Sequence, residues 1–118
     1  MDPRRTFGND GERMAEAFLT GKGMKVIGRQ VRTPFGEIDL VCEDGLELVF
    51  VEVKARRSKK FGLPEEAVTR KKRQTMARCA QAYVEANKTS SCWRLDVVAV
   101  LNSEVVHFPA VDSPGDGW

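Results

Sequence analysis

Two short alternating segments flank an Asp-Gly pair, and they constrain the fold more than anything else in the chain. Residues 37–42 read EIDLVC, with Ile38 and Leu40 directed to one side and Glu37, Asp39 and Val41 to the other. Residues 47–54 read ELVFVEVK, with Val49, Val51 and Val53 on one side and Phe50, Glu52 and Lys54 on the other. Asp44-Gly45 between them is a strong hairpin signal. An antiparallel hairpin is expected, and it dictates which polar side chains can meet.

Two registers are open. If Glu43 pairs with Leu48, Asp39 lies directly opposite Glu52; if Asp44-Gly45 makes a two-residue loop, Asp39 lies diagonal to it. In both, the carboxylates share a face, roughly 5–8 Å apart at Cβ. A one-residue slip would separate them. Like charges facing each other across strands are destabilising, and a divalent cation with oxygen ligands would compensate. Asp39 and Glu52 can then hold Mg²⁺ or Mn²⁺. Lys54, two residues on, projects from the same face, where an ammonium can hold a phosphate or help deprotonate a water. The metal would lower that water's pKa. Polar residues on one strand face are more often simply a solvated face. What tells against that here is Asp, Glu and Lys together between strongly apolar neighbours.

The rest of the chain supplies a scaffold. In residues 8–20, Met14, Ala15, Phe18 and Leu19 recur at three- and four-residue spacing, which predicts a helix. Asn9 or Asp10 would cap it, and Gly21 and Gly23 would stop it. Residues 25–32 read as a strand and Pro34-Phe35-Gly36 as a turn. A basic loop over 55–63 leads to a helical region from Pro64 to about Asn87. Its apolar stripe is Met76, Cys79, Ala80 and Tyr83, and Thr69 is a candidate cap for a second helix. Strands are expected at 93–101 and 104–108, and a loose tail at 109–118. The order α-β-β-β-α-β-β implies an α/β domain with a mixed sheet, because the hairpin is antiparallel and the helical crossover favours a parallel strand. With 118 residues and 42% hydrophobic content, the chain suits one domain with its core over about 8–108.

Composition narrows the function. The longest apolar run, Val97 to Leu101, is far short of the roughly 20 residues that cross a membrane. No apolar segment follows the polar N-terminus, so a secretory signal is not expected. A cytoplasmic location with Cys42, Cys79 and Cys92 as reduced thiols is. The net charge of +2 hides an asymmetry: residues 54–78 hold ten Lys/Arg and two acids, giving +8 there and −6 elsewhere. Such a patch steers polyanions, although a solvated helix face is the plain alternative. Its candidate phosphate contacts include Arg56, Arg57, Lys59, Lys60, Lys71 and Arg73. Outside it the signals are weak. Glu37 reads as a hairpin acid, Asp96 as a partner for Arg94, His107 as a satisfied histidine, and Trp93 as packing.

Gly36-Glu37-Ile38-Asp39-Leu40 followed by Phe50-Val51-Glu52-Val53-Lys54 resembles the catalytic signature of the PD-(D/E)XK nuclease superfamily. More closely, the chain resembles the small YraN-like family within it, whose members are inferred endonucleases. Gly11-Glu12 with Ala15 and Leu19, Ala67-Val68 with Lys72, and Arg94 to Val98 extend the resemblance from about Gly8 to Phe108. The resemblance implies a restriction-endonuclease-like αβββαβ core, similar to that of archaeal Holliday-junction resolvases. It implies Asp39 and Glu52 as metal ligands, Lys54 as the catalytic lysine, and Glu12 as a further acidic ligand. Lys72 and Arg94 would contact phosphate or brace the site. The chain departs from the family at Gln30, where Asn is frequent, and at Leu95, where an aromatic is frequent.

The expectation is a Mg²⁺- or Mn²⁺-dependent endonuclease that hydrolyses DNA phosphodiester bonds, branched or recombination DNA included. One rival is a non-catalytic nucleic-acid-binding module using segment 54–78. Another is a protein-interaction domain whose basic face meets an acidic partner. Neither rival needs the Asp39, Glu52 and Lys54 set. RNA stays open, since no base-reading element is recognisable, and so does a homodimer.

Overall fold

The expected hairpin lies at the centre of a five-stranded mixed sheet. The computed structural model describes residues 3–56, 69–89, 92–102 and 104–111, with side chains over 10–55 in the first stretch. In chain order the elements are α1 (Pro3–Gly21), β1 (Lys25–Thr33), β2 (Gly36–Asp44), β3 (Glu47–Arg56), α2 (Arg70–Ala86), β4 (Trp93–Leu101) and β5 (Glu104–Phe108). The strands lie in the order β1-β2-β3-β4-β5. All neighbours are antiparallel except β3 and β4, which run parallel across the α2 crossover. This is the mixed α/β architecture expected, compatible with an αβββαβ core.

The hairpin adopts the register with Glu43 opposite Leu48. Gly45 and Leu46 form its tip, between the paired Asp44 and Glu47. Gly45 has φ 63; a positive φ at the first central position alone is the type II′ pattern, which glycine adopts without a Cβ clash.

Each face of the sheet is covered by one helix. Ala15 and Leu19 of α1 pack with Leu40, Cys42, Val49, Val51, Val98 and Val100. Cys79 and Ala80 of α2 pack with Ile38, Val41, Leu48, Phe50, Leu95 and Val97 on the other face, joined by Met76 and Tyr83. The predicted stripe of α2 is therefore its buried face. Phe50 meets Tyr83 and Trp93 edge-on at 5.4 and 5.9 Å between centroids, so Trp93 does pack. Burying a side chain such as Phe50 is worth roughly 1.5–3 kcal/mol. Thr69 caps α2 as anticipated: its hydroxyl accepts the Lys72 N–H at 3.1 Å. No helix among the described residues is long and apolar enough to cross a membrane.

Three expectations need correction. First, α1 begins at Pro3, so Asn9 and Asp10 lie inside the helix and do not cap it. Proline at the first helical position suits an N-terminus, where its missing N–H costs nothing. Second, Ile38 and Leu40 do not share a face: Ile38 belongs to the α2-side core and Leu40 to the α1-side core. Third, the segment after β5 is not all loose. Val111 is buried in the α2-side core, and its N–H bonds the Leu95 carbonyl at 2.8 Å. The expected first turn at Pro64 to Glu66 falls outside the described residues.

Candidate active site

The face switch in β2 falls at Asp39. The β2–β3 ladder runs from Asp44–Glu47 to Leu40–Val51, and the next step in register sets Asp39 against Glu52. There a side chain takes over from the backbone: Asp39 Oδ2 accepts the Val53 N–H at 2.8 Å. Strand β1 is irregular at the same level. Gln30, opposite Asp39 in the β1–β2 register, has φ 48, a conformation costly for a side chain with a Cβ. Its Nε2 donates to Glu12 Oε2 at 3.2 Å.

Glu12 reaches this spot because α1 passes very close to β3. A Cβ placed on Gly11 would stand 2.9 Å from Ala55 Cβ, closer than two carbons can approach without movement. Burial raises the Glu12 pKa, and the charges of Glu37 and Glu52 add to the rise, against the Gln30 hydrogen bond. Glu52 is 8% exposed. Its Oε1 lies 3.3 Å from Lys54 Nζ and 3.1 Å from Lys72 Nζ. Asp39 is pushed up to about 7, first by burial and then by the Glu52 charge, with Glu12 adding. The Val53 N–H and Lys72 pull the other way. Acids from α1, β2 and β3 thus meet lysines from β3 and α2, although the period-two alternation of β2 breaks at Asp39, between Ile38 and Leu40.

Beside Glu52 opens a small cleft of about 70 Å³, lined by Glu37, Lys72, Thr75, Met76 and Cys79 among others. Pockets that engulf a whole small-molecule ligand are typically ~300–1,000 Å³. This one suits a hydrated ion or a single phosphate, so a larger substrate would lie across its mouth. Asp39, Glu52 and Glu12 supply only oxygen donors, the chemistry preferred by Mg²⁺ and similar hard cations. Burial is the first cause of the raised pKa values of Asp39 and Glu12, and the charges of neighbouring acids add to it. The donor chemistry therefore fits a divalent cation. The arrangement is not closed around one: among the described residues, no three His, Cys, Asp or Glu side chains converge as a metal cage. Glu52 is drawn to the two lysines and Glu12 to Gln30.

The expected phosphate contacts fare unevenly. Lys71 is exposed on the first turn of α2. Arg73, in the same turn, is buried, so it does not present its charge to a ligand. Arg57, Lys59, Lys60 and the side chain of Arg56 lie outside the described residues. Arg94 is corrected outright. It stands beside Val49, three steps from the Val97 that is level with Glu52. There it binds Asp44 at 3.2 Å, Glu47 at 2.7 Å and Asp96 at 3.0 Å. Burial works against its charge, but these three carboxylates outweigh that and hold its pKa above the ordinary value. Arg94 clamps the hairpin tip to β4 and has no side left for a phosphate.

Sequence reasoning saw only the Arg94–Asp96 pair in a larger buried network. Asp96 is fully buried and also accepts the Ala110 N–H at 3.0 Å and bonds His107 Nε2 at 2.7 Å. Burial alone would raise its pKa; the His107, Arg94 and Ala110 bonds hold it below the ordinary value. His107 Nδ1 accepts from Lys22 Nζ at 2.9 Å, so the histidine is satisfied at both nitrogens. The partners are scattered along the chain, and the one sequence signal was two charges inside an apolar strand. Cys42, Cys79 and Cys92 are all free, the first two buried.

The family model for the uncharacterised protein family UPF0102 matches residues 11–100. A UPF0102 protein of Symbiobacterium thermophilum is 47% identical over 98 residues, covering 81% of this chain and 82% of its own. One from Caldicellulosiruptor saccharolyticus is 43% identical over 98 residues, covering 82% and 83%. One from Syntrophotalea carbinolica is 40% identical over 120 residues, covering 98% and 97%.

Proposed function

The chain belongs to the uncharacterised protein family UPF0102, the YraN-like family, and we propose that it is a divalent-metal-dependent endonuclease acting on DNA. The observation that carries this reading is Asp39, held by the Val53 N–H beside Glu52, with two lysines on the same Glu52 oxygen. Acids crowded together in a partly buried site repel one another, which is costly to a fold, and a bound cation would offset that cost.

Asp39, Glu52 and Glu12 are the residues that would hold Mg²⁺ or Mn²⁺. When bound, the ion would stabilise charge on the phosphoryl group and acidify a water. The chain's own residues do the rest. The Val53 N–H fixes the Asp39 carboxylate, so repulsion from Glu52 does not swing it away. Lys54, packed against Glu52, has three ammonium protons and needs only one for that carboxylate. The others can take a phosphate oxygen as charge develops there. Exposed cations such as Lys71 would grip flanking phosphates without regard to sequence. The reading includes branched or recombination DNA among the substrates.

A second reading has one observation in its favour. Glu52 is already neutralised by Lys54 and Lys72, as it would be in a nucleic-acid-binding module without turnover. Purified protein incubated with Mg²⁺ or Mn²⁺ and linear, flapped and four-way DNA separates the two. Metal-dependent cleavage, stopped by EDTA, is expected; binding without cleavage under either metal would favour the module.

A further inference from the structure

Lys72 sits where helix stability does not explain it. The first turn of α2 is Arg70-Lys71-Lys72-Arg73 and contains no acid, the reverse of what the helix dipole favours at an N-terminus. From that turn, Lys72 reaches the acidic site. The Thr69 hydroxyl fixes the Lys72 backbone by accepting its N–H at 3.1 Å. Its ammonium comes from the α2 side onto Glu52 Oε1 at 3.1 Å, the oxygen that Lys54 approaches at 3.3 Å from within β3. Lys72 also lowers the proton affinity of Asp39. It therefore does for the acids what a bound cation would do, from a flexible side chain that is still 36% exposed.

We propose that Lys72 is a stand-in cation: it neutralises Glu52 until a divalent ion takes that oxygen, and then turns to a phosphodiester oxygen at the cleft mouth. The inference rests on the nuclease reading and adds a coupling to it. Two cations cannot share one carboxylate oxygen at full strength, so Lys72 and the ion compete for Glu52. An ammonium displaced from Glu52 stays within reach of the cleft it lines, where a polyanion is its natural partner. The lysine that resists the ion in the empty site thus favours phosphate in the loaded one. Binding of ion and nucleic acid then becomes mutually reinforcing, as reciprocal linkage requires.

The test reads affinity and needs no turnover. Mn²⁺ is titrated calorimetrically into the full chain, its Lys72→Met and Lys72→Gln variants, and an Arg70→Met control that removes an exposed charge from the same turn. Thermal melts confirm that each is folded. Without nucleic acid, both Lys72 variants should bind Mn²⁺ about fivefold more tightly, the scale of one lost ion pair, while Arg70→Met stays within about twofold of the parent. A second titration follows a duplex oligonucleotide with and without Ca²⁺. The parent should gain DNA affinity from the ion and the Lys72 variants should lose that gain. Unchanged or weaker Mn²⁺ affinity in the Lys72 variants, or an equal gain in Arg70→Met, overturns the proposal while leaving the metal site intact. No Mn²⁺ binding by any of the four chains would instead sink the metal reading, and this inference with it.

Discussion

Val53 gives its backbone N–H to the carboxylate of Asp39, across 2.8 Å, at the step where the hairpin stops pairing through its backbone. The same position is where Ile38 and Leu40 turn to opposite faces, and the bond holds a half-buried carboxylate beside Glu52. A side chain that both terminates a ladder and enters a reactive site makes local structure and chemistry inseparable here.

Asp39 makes the metal-free protein lose stability as pH rises. In the fold its carboxyl keeps a proton up to about pH 7, while an ordinary Asp loses it near 3.8. Between these values the folded chain binds the extra proton, so raising the pH favours unfolding. Urea unfolding in EDTA should show the parent weaker at pH 8 than at pH 5, by up to a few kcal/mol. Asp39→Asn keeps an acceptor for Val53 but cannot ionise, so that decline should largely vanish. An equal decline in both proteins would assign the pH dependence to other groups.

Gly11 should resist substitution by even one methyl group. A Cβ there lies 2.9 Å from Ala55 Cβ, so α1 must move off β3. Overpacking of this kind costs about 1–3 kcal/mol, and the better helix propensity of alanine returns only about 1 kcal/mol. Gly11→Ala should therefore lower Tm and weaken Mn²⁺ binding by withdrawing Glu12. The double variant Gly11→Ala/Ala55→Gly should recover most of the Mn²⁺ affinity. Failure of the second change to recover any affinity would separate Glu12 from the helix spacing.

Much of this was legible in the sequence because it is local. Period-two alternation around Asp44-Gly45 fixes the pairing from Asp44–Glu47 to Leu40–Val51 and the shared side of Glu52 and Lys54, and Thr69 precedes a helical pattern that it does cap. What escaped depends on distant contacts. Nothing near Ile38 announces the break in the ladder at Asp39, because the N–H that the carboxylate accepts lies fourteen residues further on, at Val53. Arg73 and Lys71 look alike in a run of bases, and only the packing of α2 buries one and exposes the other. Arg94 reads as a phosphate ligand until Asp44 and Glu47 are brought beside it by the hairpin. Val111 is buried through a bond to Leu95 on β4, a distant contact that composition does not reveal.

Arg94 and Lys71 should therefore behave differently under mutation. Arg94→Ala leaves Asp96 buried with a partner missing, which costs about 3–5 kcal/mol, and should lower Tm sharply. Lys71→Ala should leave Tm nearly unchanged, weaken DNA binding alike across sequences, and reduce the slope of log affinity against log salt by about one. A folded Arg94→Ala protein with near-parental Tm and a reduced salt slope would restore Arg94 as a phosphate contact.

The most direct test of the central claim sets cleavage against folding in the same preparations. The parent, Asp39→Asn, Glu52→Gln and Lys54→Ala are assayed with Mn²⁺ on four-way and linear DNA, and each is melted with and without the ion. Cleavage by the parent alone is expected. At pH 8 in EDTA, Asp39→Asn should melt at or above the parent, because it removes a charge that repels Glu52, whereas Glu52→Gln should melt lower, because it leaves Lys54 and Lys72 without their partner. Mn²⁺ should raise Tm for the parent and Lys54→Ala but not for the two acid variants. A parent that is folded and binds DNA, yet cuts no nucleic acid under Mg²⁺ or Mn²⁺ and gains no stability from either, would contradict that claim.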